Sequence, residues 1–371
     1  MKYMNHCDNV VSIAKPHTIK KFELIEKYVK EWSQKLCNNT YCNNLVFIDC
    51  MSNSGEYHDI DGRVVYGTPV RVSNVLREVA GQYPGMNINV YFNDIDSKRT
   101  QHLSSLIPSE KDNFHVHIST GDGNELLKRM SQVLLNAPNT HFLLVYDPYK
   151  ATIDWEAIAP FFNRWGEVII NHMVSDSIRA VKMAKTEDAV KKYKMTYLAE
   201  LENLILFGND RNAYEKRVEE IINKLHLGQR SYYIASFPFF NSRNAIVYNL
   251  IHCTTNINGF KLYKKIAWQV FDGKSSTKDT HGNENQLEFN WEDNSSQVKN
   301  HVDESCYYIK DIADYLQRKF CGQEKVPLVK LWEALDNHPV FPSDGFRNDI
   351  KKDLKNIHFA IVSRDTVSFK E

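Results

Sequence analysis

The strongest constraint on the fold is an alternation of short apolar segments with amphipathic helical segments between residues 45 and 173. Five segments have the apolar, β-branched character of buried strands. They are LVFID (45–49), NINVYFND (87–94), HVHIST (115–120), HFLLVYDPY (141–149) and EVIINHM (167–173). Strands that alternate with helices in this way predict an α/β fold with a doubly wound, Rossmann-like and mostly parallel sheet.

Polar residues stand at the ends of all five predicted strands. They are Asp49, Asp94, Asp122 and Asp147 for the first four strands, and Asn171 for the fifth. A doubly wound sheet binds its ligands beyond the carboxyl ends of its strands. The sequence therefore predicts a ligand site at this edge, lined mainly by carboxylates.

An amphipathic helix is predicted before the first strand, at residues 17–36. Its lysines lie largely outside the apolar stripe. His17, Lys20 and Lys21 at its start are suitably placed to contact a polyanion, but a solvated helix face is the simpler interpretation. We therefore expect these lysines to face solvent.

One α/β domain is predicted to extend over residues 1–271. After the fifth strand, a charged helical insert is expected at about 184–228. The apolar segments 232–240 and 244–254 have the pattern of paired strands, and a helix is expected from Gly259. An antiparallel pair at the sheet edge would complete the domain.

A second unit is predicted at residues 303–371, behind a polar linker at 272–302. Three helical segments are followed by a hairpin that turns at Arg364-Asp365, and Ser343 or Asp344 is the expected N-cap of the third helix. This order predicts a winged helix. Its third helix and hairpin carry a local excess of cations, namely Arg347, Lys351, Lys352, Lys355 and Arg364. They predict contacts with DNA phosphates, although winged helices also dock proteins, and both interpretations stay open.

Composition excludes several classes of protein. Lysine plus arginine and aspartate plus glutamate both number 46, so a globally basic nucleic-acid coat is not expected. No apolar run has the length of a membrane span, and the first residues lack the apolar stretch of a signal peptide. Seven cysteines occur without a CxxC pair, which indicates reduced thiols in the cytoplasm and no metal site.

The loop from Asp49 to Gly55 resembles the first nucleotide-binding loop of class I S-adenosylmethionine (SAM) methyltransferases. That resemblance implies that Asp49 receives the amino group of SAM while Ser52, Asn53 and Gly55 bring the backbone close to its methionine part. Asn53 stands where glycine is usual, and asparagine tolerates left-handed backbone geometry better than most residues. An ordinary turn between strand and helix remains the alternative.

The next two strand-end acids fit the same cofactor. Asp94 is placed to hold the ribose hydroxyls, a role that Asn93 or Asp96 would also fit. Asp122, within Gly-Asp-Gly, is placed to meet the adenine amino group. Each acid alone is equally explained as a helix cap, and it is their occurrence in order that favours the cofactor.

Asp147-Pro148-Tyr149 is the sharpest catalytic signal. It resembles the Asp/Asn-Pro-Pro-Tyr/Phe motif of amino-methyltransferases that act on adenine or cytosine. In such enzymes the acid and a proline carbonyl accept hydrogens of the amine, and the aromatic ring stacks on the extruded base. Here one proline is missing, so Asp147 either orients a nucleophile or closes the strand.

The order of these pieces resembles the three-Cys-motif partner protein family (TcmP) over about residues 15–270. The opening Lys15, His17, Tyr28 and Trp32 is similar to that family's first helix. The family's other elements resemble IDCMSNSGEY, Gly67-Thr68-Pro69, FNDID, Asp147-Pro148-Tyr149, Asn171 with Arg179, and NAIVYNLIHCTTNINGFKLYKKIAW. Lys15, His17, Asn171 and Arg179 are thereby implied to line the site, Arg179 to meet a phosphate or carboxylate.

Membership implies a SAM-methyltransferase-like fold and a three-cysteine radical-type partner protein. Two departures bear on activity: Met51-Ser52-Asn53 replaces Phe-Ala-Gly, and Lys150 replaces glycine. Two hypotheses follow. The first is a SAM-dependent methyltransferase-like protein that acts on or binds nucleic acid, which the strand-end acids favour. The second is a catalytically inactive SAM-fold adaptor that binds DNA or the radical-type partner, which the loop departures favour.

Overall fold

A central eight-stranded sheet contains all five predicted strands. The computed structural model describes residues 10–148, 153–172, 232–240, 246–279 and 306–370. The sheet consists of β2 (Asn44–Asp49), β5 (Asn87–Asp94), β6 (Phe114–Thr120), β7 (Thr140–Tyr146), β8 (Gly166–His172), β9 (Tyr233–Phe240), β10 (Ile246–Thr254) and β11 (Thr277–Lys278). The predicted strands end within a few residues of these bounds, because each buried strand is bordered by polar turn residues.

The order of the strands is that of a doubly wound sheet. Along the sheet they run β11-β9-β10-β8-β7-β2-β5-β6. The pairs β2–β5, β5–β6, β2–β7 and β7–β8 are all parallel, so these five strands end at one edge. Strand β10 is antiparallel to both β8 and β9. The Rossmann-like prediction is therefore confirmed, as is the antiparallel pair.

Helices cover both faces of the sheet. The described helices of this part are α1 (Pro16–Cys37), α2 (Thr68–Gln82), α3 (Ser97–Leu106), α4 (Gly123–Leu134), α5 (Trp155–Ile158) and α6 (Ile257–Val270). Apolar side chains of α1, α2 and α6 share one core cluster with one face of the sheet. The other face packs on α4 and α5. Alternate residues of each strand therefore point to opposite helix layers.

Helix α1 follows its apolar spacing. Phe22, Ile25, Val29 and Trp32 are buried, at the helical intervals that the sequence shows. A small separate sheet flanks its start: β1 (Ser12–Ile13) pairs in parallel with β3 (Glu56–His58), which pairs with β4 (Val64–Tyr66). This pairing joins the entry to α1 directly to the chain that leaves the Asp49 loop.

The C-terminal unit contains the three predicted helices and the hairpin. They are α7 (Ile309–Phe320), α8 (Leu328–Asp336), α9 (Arg347–Asn356), β13 (Ile361–Val362) and β14 (Thr366–Ser368), and β12 (Val326–Pro327) adds a third strand beside β14. The predicted cap of the third helix is wrong. The residue before α9 is Phe346, without a side-chain cap, and Ser343 instead bonds the side chain of Asp336.

The C-terminal unit packs against α6 through buried polar contacts. The Lys264 side chain is fully buried, and its Nζ donates to the carbonyl oxygens of Leu335, Asp336 and His338 at 2.7–3.0 Å. The Trp268 indole donates to the Val340 carbonyl at 2.9 Å. Side chains of the unit belong to the same apolar cluster as α1, α2 and α6.

Some predictions lie at or beyond the limits of the described residues. The helix expected after β7 is short: α5 gives way to a 3-10 turn at Ala159–Phe161, where Pro160 interrupts the α-helical pattern. Strand β11 lies inside the segment predicted as a linker. The helical insert at about 184–228 and residues 280–302 lie outside the described residues.

Candidate functional site at the carboxyl edge of the sheet

Three carboxylates meet where the parallel strands end. Asp49 is the last residue of β2, Asp94 the last of β5, and Asp147 follows β7 directly. In the ladder, Asp49 lies opposite Phe92 on one side and Val145 on the other, so the three acids occupy successive positions along one edge. The strand-end pattern therefore brings together the acids that the sequence singled out.

The loop after β2 uses left-handed backbone at two positions. Asn53 has φ 58° and Gly55 has φ 76°. At Gly55 a Cβ atom would also lie 2.5 Å from Leu103, so only glycine fits there. Ser52 donates its backbone N–H to the Asn93 carbonyl at 2.8 Å, which ties the loop to β5. Asparagine thus supplies at position 53 the geometry for which glycine is usual.

Asp94 is buried beneath this loop. One of its carboxylate oxygens accepts the Asn53 backbone N–H and the other accepts that of Asp96, both at 3.0 Å. Arg99 Nη1 lies 4.0 Å from the same carboxylate. Asp94, the last residue of β5, therefore supports the loop that follows β2.

Asp49 carries the least compensated charge of the three acids. Among the described residues, its carboxylate accepts one hydrogen bond, from the Met51 backbone N–H at 3.2 Å. Burial, together with the charge of Asp147, raises the pKa of Asp49 to about 7. A buried carboxylate with so few donors is suited to receive a cationic group from a ligand.

Asp147 is held by two side chains. Lys21 Nζ donates to Oδ2 and Asn171 Nδ2 donates to Oδ1, each at 2.5 Å. The Oδ1 atom of Asn171 is buried, and no donor reaches it among the described residues. Asn171, which ends the fifth predicted strand, therefore lies beside Asp147. The acid is ion-paired within the protein, which the sequence did not indicate.

Lys21 corrects the prediction of a solvated helix face. It is 7% exposed and lies between the Phe22 and Tyr248 rings, with Nζ 5.8 and 5.5 Å from their centroids. Because the start of α1 lies at the carboxyl edge of the sheet, a lysine in its second turn reaches Asp147. The sequence feature that could have indicated the burial of Lys21 is its position next to the apolar Phe22.

His17 and Lys15 lie at the start of α1. Asp279, just after β11, accepts the His17 backbone N–H at 2.7 Å and lies 2.6 Å from Nδ1 of its ring. Burial lowers the pKa of His17, with Asp279 opposing the shift. Lys15 is exposed and precedes the first turn. His17 therefore anchors α1 rather than presenting a free ring to the site.

Asp122 and Asn93 organise the neighbouring loops. Asp122 caps α4 by accepting the backbone N–H groups of Asn124 at 2.8 Å and Glu125 at 3.3 Å. The helix-cap interpretation of Asp122 is thus realised, and its place at the site edge is retained. Asn93 donates to the carbonyls of Cys50 and Gly121, which braces the loops after β2 and β6.

Tyr57 is a site residue that strand-end reasoning missed. Burial and the nearby charges of Asp147 and Asp49 raise its pKa, which places the phenol among the acids. A Cβ at Gly67 would lie 2.5 Å from the Tyr57 ring, so a glycine there makes room for it. The signal in the sequence was the position of Tyr57, two residues after Gly55 at the end of the segment IDCMSNSGEY.

The remaining predicted residues are divided between the site and the tail. Pro148 is buried beside Asp147, whereas Tyr149 and Arg179 lie outside the described residues.

In the tail, Arg347, Lys352, Lys355 and Arg364 are exposed and Lys351 is half-buried. Arg347 and Lys351 lie over the Trp332 ring, at 5.3 and 5.9 Å. The aromatic side chains of Phe237, Phe239 and Trp268 are buried in the core.

In the described ranges, His, Cys, Asp and Glu side chains do not gather in the groups of three or more that would hold a metal ion. In the same ranges, no helix combines the length and apolar character needed to cross a bilayer.

Comparison with known proteins finds structural likeness only. No protein-family model matches the sequence, and no curated protein matches it. The fold is similar to protein LPL1258 of Legionella pneumophila (TM-score 0.38, 11% identity, 64% of this chain and 85% of that one). It is also similar to human methyltransferase-like protein 13 in complex with SAH (TM-score 0.32, 9% identity, 73% of this chain and 97% of that one). A putative caffeoyl-CoA O-methyltransferase from Staphylococcus aureus is similar with a TM-score of 0.31 and 10% identity, over 62% of this chain and 83% of that one. With all three TM-scores this low, the assignment of a Rossmann-like fold rests on the order and directions of the strands.

Proposed function

We propose that the protein is a SAM-dependent methyltransferase-like protein that binds nucleic acid through its C-terminal unit. The observation that carries the first part is the group of acids at the carboxyl edge, next to a loop with two left-handed residues. Asp49, with its raised pKa and single hydrogen bond, fits the ammonium group of SAM. Asp94, at the end of β5 and in contact with this loop, is the proposed partner of the ribose hydroxyls.

The other predicted residues have defined places in this proposal. Ser52, Asn53 and Gly55 bring the loop backbone to the methionine part of SAM, and Asp122 faces the adenine side. When bound, SAM supplies a methyl group activated by its sulfonium. Asp147 would accept a hydrogen from the acceptor, and Asn171 holds one of its oxygens in place.

Isothermal titration with SAM and with S-adenosylhomocysteine tests the proposal. We expect micromolar binding of at least one of them to the full chain. Asp94→Asn should weaken binding at least tenfold, since the uncharged amide loses charge-assisted bonds worth roughly 1.5–3 kcal/mol. Asp112→Asn, an exposed acid before β6, is the matched control and should bind like the wild type. Equal affinity in a folded Asp94→Asn variant would reject the assignment of Asp94.

A winged helix is the proposed identity of the C-terminal unit. Three helices, a short first strand and a closing hairpin in the sheet order β12-β14-β13 support it. Within residues 347–364, five cations face two acids, and four of the cations are exposed. In this proposal α9 and the hairpin tip contact DNA phosphates.

A catalytically inactive adaptor is the second candidate function. The observation that favours it is the ion pair of Asp147 with Lys21, which already uses one oxygen of the acid. Through the resemblance to the three-Cys-motif partner family, the proposed partner is a three-cysteine radical-type protein. Absence of both SAM and S-adenosylhomocysteine binding at millimolar concentration would favour this function.

A further inference from the structure

The surroundings of Lys21 Nζ have the composition of a site for an alkylammonium ion. Asp147 Oδ2 lies 2.5 Å from this nitrogen, and the Phe22 and Tyr248 rings lie within 6 Å of it. Carboxylates and aromatic faces are the groups that bind organic ammonium ions in proteins. The occupant is the chain's own side chain, delivered by α1.

The walls of this site are fixed independently of Lys21. Asn171 holds Oδ1 of Asp147, and the Tyr248 hydroxyl donates to the His17 carbonyl at 2.9 Å. His17 is itself bound to Asp279. Removal of the lysine side chain beyond Cβ would therefore leave a preformed site rather than a collapsed one.

The charge of the site also requires a cation. Asp49 and Asp147 face one another across neighbouring strands, and Lys21 is the cation in contact with Asp147 among the described residues. Lys21 lowers the pKa of Asp49, whereas burial and Asp147 raise it. Without a cation, the buried Asp49 carboxylate and the half-buried Asp147 carboxylate would repel one another.

We propose that the acceptor side of the site is a subsite for a primary alkylammonium group, which Lys21 occupies in this structure. The substrate class is then an aliphatic amine, such as a lysine side chain or the end of a polyamine, and Lys21 must withdraw when the substrate binds. A neutral nucleobase amine would not need this arrangement of charge. The inference refines the proposed function at the same site, but ammonium binding does not require SAM.

The test is chemical complementation of Lys21→Ala. The deleted atoms correspond to n-propylammonium, so 100 mM of this ion should raise the Tm of the variant by about 2 °C if it binds with a Kd near 10 mM. Sodium chloride at equal ionic strength and n-propanol should shift it by less than about 1 °C. The wild type, whose subsite is filled, and Lys21→Ala/Asp147→Asn should not respond to n-propylammonium.

Four further measurements decide the remaining outcomes. If Lys21→Ala is unfolded alone, recovery on refolding with n-propylammonium but not with n-propanol supports the subsite, and failure with both overturns it. Lys21→Met as stable as the wild type at pH 8 also overturns it, because the carboxylates would then need no cation. Spermidine and N-acetyl-lysine amide, titrated into Lys21→Ala, distinguish a polyamine end from a lysine side chain. Titration of the wild type with SAM separately decides the proposed function.

Discussion

Individual residues of the site are governed by the balance between burial and charge. Asp49 is 3% exposed and shares the edge of the sheet with two further acids, whereas Lys21 and Arg99 supply the opposing charge. Burial disfavours the charged form of a carboxylic acid, and a neighbouring carboxylate disfavours it further. The site therefore stores unfavourable electrostatic energy that a cationic ligand would relieve.

Asp49 should make stability fall as the pH rises from about 4 to 7. Its pKa is about 7 in the folded chain against 3.8 as the ordinary value, so the folded state binds more protons in this interval. The penalty is fully present above pH 7. We expect Asp49→Asn to be more stable than the wild type at pH 8, by on the order of 2–4 kcal/mol, and similar near pH 4.

Urea denaturation at both pH values measures this difference. Asp112→Asn, at an exposed position, should follow the wild type at each pH. A folded Asp49→Asn variant with the wild-type difference between pH 4 and pH 8 would contradict the raised pKa.

A backbone outlier just before β13 gives a second residue-level prediction. Phe359 has φ 53° and is 67% exposed, so its strain is not offset by burial of the ring. Phe359→Gly should raise the free energy of unfolding by about 0.5–1 kcal/mol, because glycine adopts this conformation without strain. Ile361→Gly, equally exposed but in β13, should lower it. Thermal denaturation of both variants tests the contrast, and destabilisation by Phe359→Gly would refute it.

At the scale of elements, the pattern of apolar residues predicted most strands and helices. Periodicity identified β2, β5, β6, β7 and β8 because buried parallel strands read as apolar runs. It could not identify β1 or β11, since two residues carry no period. The burial of Lys21 was equally inaccessible, because it depends on Asp147, which lies 126 residues further along the chain. Long-range contacts of this kind have no local signature.

The packing of α6 against the C-terminal end of α8 depends on Lys264. Its three carbonyl acceptors lie at or just beyond the C-terminal end of α8, where the helix leaves carbonyls without intrahelical partners. Its Nζ also lies 4.2 Å from the centroid of the Phe260 ring. Burial lowers the pKa of Lys264 to about 7, and the charge of Asp336 opposes that shift.

Lys264→Met should lower the free energy of unfolding by about 2–4 kcal/mol. The thioether fills the space but leaves buried carbonyls without donors, and each such group costs about 1–3 kcal/mol. Lys261→Met removes a more exposed ion pair with Asp336 and should cost less than about 1 kcal/mol. Chemical denaturation compares the two, and equal losses would show that Lys264 has no special role.

At the scale of the whole molecule, the tail and the sheet domain share one apolar core. Trp268 of α6 packs edge-on against Phe341 and Phe346 of the tail. Cutting the chain near Asn300 would therefore expose this surface and confuse loss of DNA binding with loss of folding. Substitution of exposed cations tests the tail without this complication.

DNA affinity should depend on the exposed cations of α9. Lys352→Ala/Lys355→Ala removes two predicted phosphate contacts and should reduce the salt slope of duplex binding by about 1.8. Lys98→Ala, an exposed lysine of α3, should leave the slope unchanged. Fluorescence anisotropy over a range of salt concentrations provides the slopes. Wild-type affinity and slope in the double variant would assign the tail to protein docking instead.

The anchoring of α1 also has a consequence for synthesis on the ribosome. His17 bonds to Asp279, 262 residues later, and Lys21 bonds to Asp147, 126 residues later. At about 5–20 residues per second, the second contact becomes available roughly 6–25 seconds after its lysine is made, and the first only after roughly 13–52 seconds. The second turn of α1 can therefore be fixed by Asp147 before the carboxylate that binds His17 in the first turn has been synthesised.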